Sequence, residues 1–230
     1  MHVPAHFRLP EDRLEELLAS PRGGNLVTVH ADGPRATFVP FHAERTAEGG
    51  LVLATHLVRN NPQATVPLTG PGMVILDATD AYVSPRWYVT NDVQPSVPTW
   101  DYVTVHATGT VRVDPSPEAA LAAARALTSR MHPDDDVLEP VGEDKLVAMS
   151  QAIVAVDLVV ERLEGKAKMS QNRHPDDIEG LVEHFVAHGP AEVADYLREV
   201  SLPHARERFG TLERLAARDR ARAHRQGGPL

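Results

Sequence analysis

The 230 residues contain no cysteine, which excludes disulfides, thiolate-held zinc, iron–sulfur clusters, cysteine-ligated haem and a cysteine nucleophile. Any metal must be held by histidine, carboxylate or another oxygen ligand. Long apolar runs are also missing: the longest are strand-sized, below the roughly 18 residues that a membrane span needs. The start Met1-His2-Val3-Pro4 has neither a basic region nor an apolar signal core. The expectation is a cytoplasmic protein without a membrane partner. Positive charge is short, 23 Lys and Arg against 32 Asp and Glu for a net charge of −9. That argues against nucleic acid as a partner, because neutralising phosphates needs concentrated cations. No G-x-G-x-x-G follows a strand-like run and no G-x-x-x-x-G-K-[ST] occurs, so dinucleotide and P-loop cradles lack their glycines. Aromatic residues are scarce at 5%, whereas histidines, at twelve, are plentiful.

Periodicity predicts a short helix over 11–19, where Leu14, Leu17 and Leu18 recur at helical spacing after Pro10. Strand-like runs follow at 25–29, 36–42, 51–54 and 73–78, divided by turn sequences such as Ala31-Asp32-Gly33-Pro34 and Thr69-Gly70-Pro71-Gly72. Their rhythm reads as an antiparallel meander. Over 99–113, Val103, Val105, Ala107, Val111 and Val113 fall on one face. Trp100, Tyr102, Thr104, His106, Thr108 and Arg112 fall on the other, which is therefore wet or ligand-lined. Ser116, Pro117 and Glu118 open an Ala-rich helix to about residue 129. A last strand, 153–163, ends at Gly165, and helices run from 176 onward with breaks at Gly189-Pro190 and Pro203. Six or seven strands with few crossover helices predict a small antiparallel barrel, mainly β with C-terminal helices. The expected organisation is a barrel domain over 1–175, interrupted by helices near 116–150, and a helical extension over 176–230.

Three segments carry chemistry. The first, 55–63, packs Thr55, His56, Arg59, Asn60 and Asn61 just after a strand; as one helical turn it would project His56 and Arg59 from a single face suited to an anion. The second gathers both tryptophans, Trp87 and Trp100, and three of the four tyrosines between 82 and 106, beside Arg86, Asp101 and His106. Rings supply contact area for a flat conjugated ligand while a few polar groups orient it. The third, 163–173, supplies Lys166, Lys168, Ser170, Gln171 and Arg173, an inventory suited to phosphate or propionate groups. His184 and His188 stand four apart on a helical pattern without a third ligand nearby. From Ser201 onward seven arginines outnumber three carboxylates, which reads as a solvated helix.

Taken together, Arg59-Asn60-Asn61-Pro62-Gln63, A-Y-V-S-P-x-W-Y at 81–88, V-P-T-W-x-Y-V-x-V-H at 97–106 and R-L-E-G-K-x-K-x-S-Q-N-R at 162–173 resemble the PaiB-like family of FMN-binding negative transcriptional regulators. The resemblance spans about residues 1 to 188. It implies an FMN-binding split β-barrel that forms a homodimer, with the ligand pocket at the subunit boundary. Several positions depart from that pattern. Leu76-Asp77-Ala78-Thr79-Asp80 replaces the family's Phe-x-Gly-Pro, Asn60 stands where a small residue is usual, Arg86 replaces a serine, and Asp101 replaces an asparagine. These departures resemble a branch of the family, the haem-dependent piperazate synthases, which close the N–N bond of L-piperazic acid from N5-hydroxy-L-ornithine. That resemblance implies haem b, or FMN in the regulator alternative. It implies His56 as the iron ligand, and Arg59, Asn60, Trp87, Trp100, Lys168, Ser170, Gln171 and Arg173 around the cofactor. Arg86 would meet the substrate carboxylate or a propionate, and Asp101 or His106 would serve as the base.

Overall fold

Six strands make the sheet: β1 (Arg22–His30), β2 (Gly33–Arg45), β3 (Leu51–Val58), β4 (Gly72–Val83), β5 (Thr99–Asp114) and β6 (Ile153–Lys168). They close into a barrel in the order β1-β2-β3-β6-β5-β4. The expected meander holds only through β1, β2 and β3. Beyond them β4 crosses back to pair antiparallel with β1, setting Val74 opposite Leu26, and β6 takes the free edge of β3, setting Leu158 opposite Leu53. The reason is edge closure: a four-strand meander would leave unpaired N–H and C=O groups on both flanks.

The computed structural model describes residues 1–226 and divides into two units. The first comprises residues 1–3, 9–78 and 104–165. Its interior is built from the predicted alternation, with Leu26, Leu53, Leu57, Val74, Leu76, Val105, Ala107, Val156 and Leu158 buried. Four helices belong to it: α1 (Glu11–Ala19), the single turn α2 (Pro62–Thr65), α3 (Pro117–Met131) and α4 (Glu143–Ser150). Ser116 caps α3 by accepting from the Ala119 N–H at 3.3 Å, and α3 packs on β2 and β3. Gly165 does not end β6 as expected, because the strand continues to Lys168. The glycine is needed instead where the N-terminal chain crosses: a Cβ there would lie 2.8 Å from Leu9 Cβ, and the Leu9 N–H donates to the Gly165 carbonyl at 3.1 Å.

The second unit comprises residues 4–8, 79–103 and 166 onward. Its helices are α5 (Pro175–His188), α6 (Ala191–Tyr196) and α7 (Leu202–Gln226), with a wide π-turn at Leu197–Ser201 joining α6 to α7. Ile178, Leu181, Phe185, Val193, Ala194, Leu197 and Ala205 pack its interior. The Gly189-Pro190 break is present, but Pro203 lies in the first turn of α7 rather than ending a helix. The helical backbone is continuous from α6, and proline is tolerated there because the π-turn just before it has already widened the hydrogen-bond pattern in which its missing N–H would take part. Arg206 pairs with Glu179 at 2.5 Å and Arg208 donates to the Asn172 carbonyl at 3.1 Å, so part of the basic helix is tied down. Residues 227–230 of that basic tail, and the Arg225 side chain, lie outside the described residues. No helix among the described residues is long and apolar enough to cross a membrane.

Candidate functional site

In the first unit, His56 and Arg59 do not share a helical turn. β3 runs through His56 to Val58, so His56 lies on a strand opposite Ala155 and Arg59 falls in the turn that follows. The alternation buries Leu51, Leu53, Thr55 and Leu57 and puts His56 on the opposite, outward face. There its Nδ1 is buried without a hydrogen-bond partner, and burial pushes the imidazole below its ordinary pKa. The result is a ring biased toward its neutral form, with Nδ1 unpartnered. The Arg59 guanidinium is committed to the backbone, donating to the carbonyls of Gln151 at 2.6 Å, Pro115 at 2.9 Å and Ile153 at 2.8 Å. Only two of its five N–H groups remain for any ligand.

The rest of that motif is likewise structural. Asn61 caps α2 by accepting from the Gln63 N–H at 2.9 Å. Buried Gln63 donates through Nε2 to the Leu26 carbonyl at 3.0 Å and to Thr28 Oγ1 at 2.8 Å, while Oε1 accepts from Thr37 Oγ1. Asn60 sits exposed in the turn before α2. His106 lies on the outward face of β5 between two threonines, Thr104 and Thr108, whose hydroxyls are buried and unpartnered. Burial lowers the His106 pKa, and the N-terminal ammonium lowers it further.

In the second unit the aromatic residues do gather. Tyr82 meets Trp87 and Trp100 edge-on at 6.0 and 6.1 Å between ring centroids. Trp87 stacks on His184 at 3.7 Å, and His184 stacks on His188 at 5.3 Å. Gly180 permits this approach of α5, since a Cβ there would lie 2.9 Å from the Trp87 carbonyl oxygen. Trp100 Nε1 donates to Asp80 at 2.9 Å. Thus His184, weighed from sequence only as half of a metal pair, is part of the aromatic surface. Arg86 is exposed on the short 3-10 turn Pro85–Trp87 rather than enclosed by rings, and its guanidinium is unpaired among the described residues.

The Lys168 to Arg173 loop comes together around Asp101. Asp101 lies on the inward side of β5, opposite in direction to the wet face, and is fully buried. Its Oδ2 accepts from Ser170 Oγ at 2.7 Å, while Oδ1 has no hydrogen-bond partner and lies 3.8 Å from Lys168 Nζ. Burial pushes the carboxyl up to about 6; the Ser170 hydroxyl and the Lys168 and Arg173 cations offset part of that rise. Lys168 Nζ also donates to Thr99 Oγ1 and the Trp100 carbonyl, both at 2.5 Å. Arg173 donates to Ser96 Oγ at 2.8 Å and lies 4.4 Å over the Tyr88 ring. Tyr88 is a participant that sequence reasoning left in a motif without a role: its buried hydroxyl is near Ser170 and Arg173, with neither in hydrogen-bond geometry. Gln171 is turned inward, accepting from the Met169 N–H and donating to the Ala167 carbonyl, so it braces the loop. Of the predicted residues, Trp100, Asp101, Lys168, Ser170, Gln171 and Arg173 form one cluster in the second unit, which also holds Arg86 and Trp87. His56, Arg59, Asn60 and His106 belong to the first unit. Among the described residues no group of three or more His, Asp or Glu is arranged to hold a metal ion.

Comparison with known proteins places this geometry. Residues 1–162 match the family model described as "Putative FMN-binding domain". Protease synthase and sporulation protein PAI 2 of Bacillus subtilis (strain 168) is 26% identical over 187 residues, 80% of this chain and 88% of that protein. Among solved structures, the flavocytochrome Anf3 from Azotobacter vinelandii aligns with a TM-score of 0.55 at 12% identity, covering 72% of each chain. The conserved hypothetical protein Rv2991 from Mycobacterium tuberculosis aligns with a TM-score of 0.50 at 18% identity, covering 75% of this chain and 94% of its own. The two structures share the fold, and with the family model matching more than two thirds of the sequence, the chain belongs to the PaiB-like family of FMN-binding split β-barrels.

Proposed function

We propose that this member of the family is a haem-dependent cyclase that closes the N–N bond of L-piperazic acid from N5-hydroxy-L-ornithine. The observation that carries the proposal is His56, an imidazole kept neutral by burial whose Nδ1 has no protein partner. Nδ1 is closed off while the residue as a whole is only partly buried, so the other ring nitrogen of His56 would be the atom to hold the iron of haem b, and the chain has no cysteine to compete for that role. Haem bound there supplies a Lewis-acidic iron. The overall reaction needs no external oxidant: the N–O bond of the hydroxylamine breaks, the N–N bond forms, and one water leaves.

The remaining roles fall to the chain's own side chains. Asp101, with its carboxyl near 6, is ionised at neutral pH but fully buried, so it would accept the substrate's proton only by way of the partly exposed Lys168, whose Nζ lies 3.8 Å from Oδ1. His106, also held neutral by burial, is the second candidate base. Arg86, exposed and unpaired, offers a planar fork for the substrate carboxylate. Within the second unit, Trp87 and Trp100 offer flat contact area and Arg173 and Lys168 offer cations. The protein acts as a homodimer in this reading.

FMN is the second reading, favoured by the family match itself. The visible spectrum of the purified protein separates the two. A Soret band that disappears or shifts to a weakly ligated form in His56→Ala supports haem through His56. A yellow flavin spectrum, or a Soret band unchanged by the substitution, overturns it.

A further inference from the structure

The loop between β6 and α5 holds an uncommon backbone. Ser170 has φ of +58°, the only non-glycine residue with a positive φ among the described residues. A side chain persists in the left-handed region only where its surroundings over-determine it. Several contacts do so. The Met169 N–H donates to Gln171 Oε1 at 2.8 Å, and Gln171 Nε2 donates to the Ala167 carbonyl at 2.7 Å. From the other side, Ser201 Oγ donates to the Met169 carbonyl at 2.6 Å.

Ser201 is fully buried and is the last residue of the π-turn Leu197–Ser201. A π-turn inserts one residue relative to an α-helix, which rotates everything after it by about 100°. The turn therefore decides which way the Ser201 hydroxyl faces. Such turns are found preferentially at functional sites. The carbonyl that Ser201 grips immediately precedes Ser170, whose hydroxyl holds Asp101 Oδ2 at 2.7 Å.

We propose that Ser201 is a positioning residue for Asp101. The π-turn directs its hydroxyl onto the Met169 carbonyl, this fixes Ser170 in its left-handed conformation, and Ser170 thereby keeps its hydrogen bond to the Asp101 carboxylate. The helical C-terminal region, beyond the residues matched by the family model, thus acts on the ionisation of one buried acid. Among the interactions that favour the ionised form of Asp101, the Ser170 hydroxyl is the largest, ahead of Lys168 and Arg173. The catalytic meaning of the inference rests on Asp101 being the proton acceptor; the linkage itself does not.

The test is a carbon-13 NMR titration of the aspartate carboxyls, with Asp101 assigned by its loss in Asp101→Asn. Ser201→Ala is expected to raise the Asp101 pKa by about one pH unit, the same direction as Ser170→Ala, because a hydrogen bond to a charged group is weakened. Ser201→Thr, which keeps the hydroxyl, is expected to restore the wild-type value. A folded Ser201→Ala protein whose Asp101 titrates as in wild type, while Ser170→Ala shifts it, overturns the proposal. Where Ser201→Ala fails to fold, Ser201→Cys, of near size and a weaker donor, reads the same linkage: a raised Asp101 supports it and an unmoved one overturns it. A shifted Asp101 in a protein that does not convert N5-hydroxy-L-ornithine sustains this linkage and removes the enzymatic reading. Conversion with an unmoved Asp101 does the reverse.

Discussion

Asp101 places a carboxylate in the protein interior with one oxygen lacking a donor, and its ionisation therefore opposes folding. Its carboxyl titrates near 6 in the native protein and near 3.9 in an unfolded chain. Below about pH 4 both states are protonated and there is no penalty. Between about pH 4 and 6 the native state binds more protons than the unfolded one, so stability falls as pH rises, by roughly 3 kcal/mol in all. Asp101→Asn retains an acceptor for Ser170 and removes the charge. Calorimetry is expected to find it more stable relative to wild type at pH 7.5 than at pH 4. An equal difference at both pH values would mean that the carboxyl titrates normally. At this scale the sequence named residues that the fold gathers in part, but not their burial or direction. Asp101 stood out as a departure from the family asparagine, yet its inward direction on β5 was legible only from the alternation of its neighbours. Arg86 looked enclosed because it is adjacent to rings in sequence, whereas a 3-10 turn carries it outward.

The elements explain why a motif can look chemical and be structural. Arg59, Asn61 and Gln63 form a staple: Arg59 closes on three carbonyls from other segments, and Gln63 joins β1 to β2 through a buried amide. Replacing Gln63 with methionine keeps the volume but leaves the Leu26 carbonyl and two threonine hydroxyls short of partners. Denaturant unfolding is expected to show a loss of about 2 to 4 kcal/mol. A loss under about 0.5 kcal/mol would return this motif to candidate ligand-binding status. Strand existence was readable from two-residue alternation, while strand ends were not. β3 continues past Ala54 through His56 because His56 pairs across to Ala155 on β6, a long-range contact that no local pattern records. Gly165 reads as a terminator from its type alone, and only the crossing of Leu9 reveals why glycine is required within the strand.

For the molecule as a whole, the proposed homodimer is tested at exposed apolar side chains of each unit. Phe38 is 70% exposed, Val93 90%, Val97 73% and Trp100 51%. Light scattering at micromolar concentration is expected to give twice the chain mass, and Val97→Asp with Phe38→Glu is expected to shift the protein toward monomer. A wild-type protein of single-chain mass would contradict the dimer. The barrel and its family are settled by the sequence motifs and the match over residues 1–162, whereas the proposed reaction depends on His56 holding haem. The decisive measurement is incubation of the cofactor-loaded protein with N5-hydroxy-L-ornithine, followed by mass spectrometry of the product. The account predicts a cyclic product lighter by one water, formed without added oxidant or reductant and lost in His56→Ala. Unchanged substrate in the presence of fully loaded wild-type protein would contradict it.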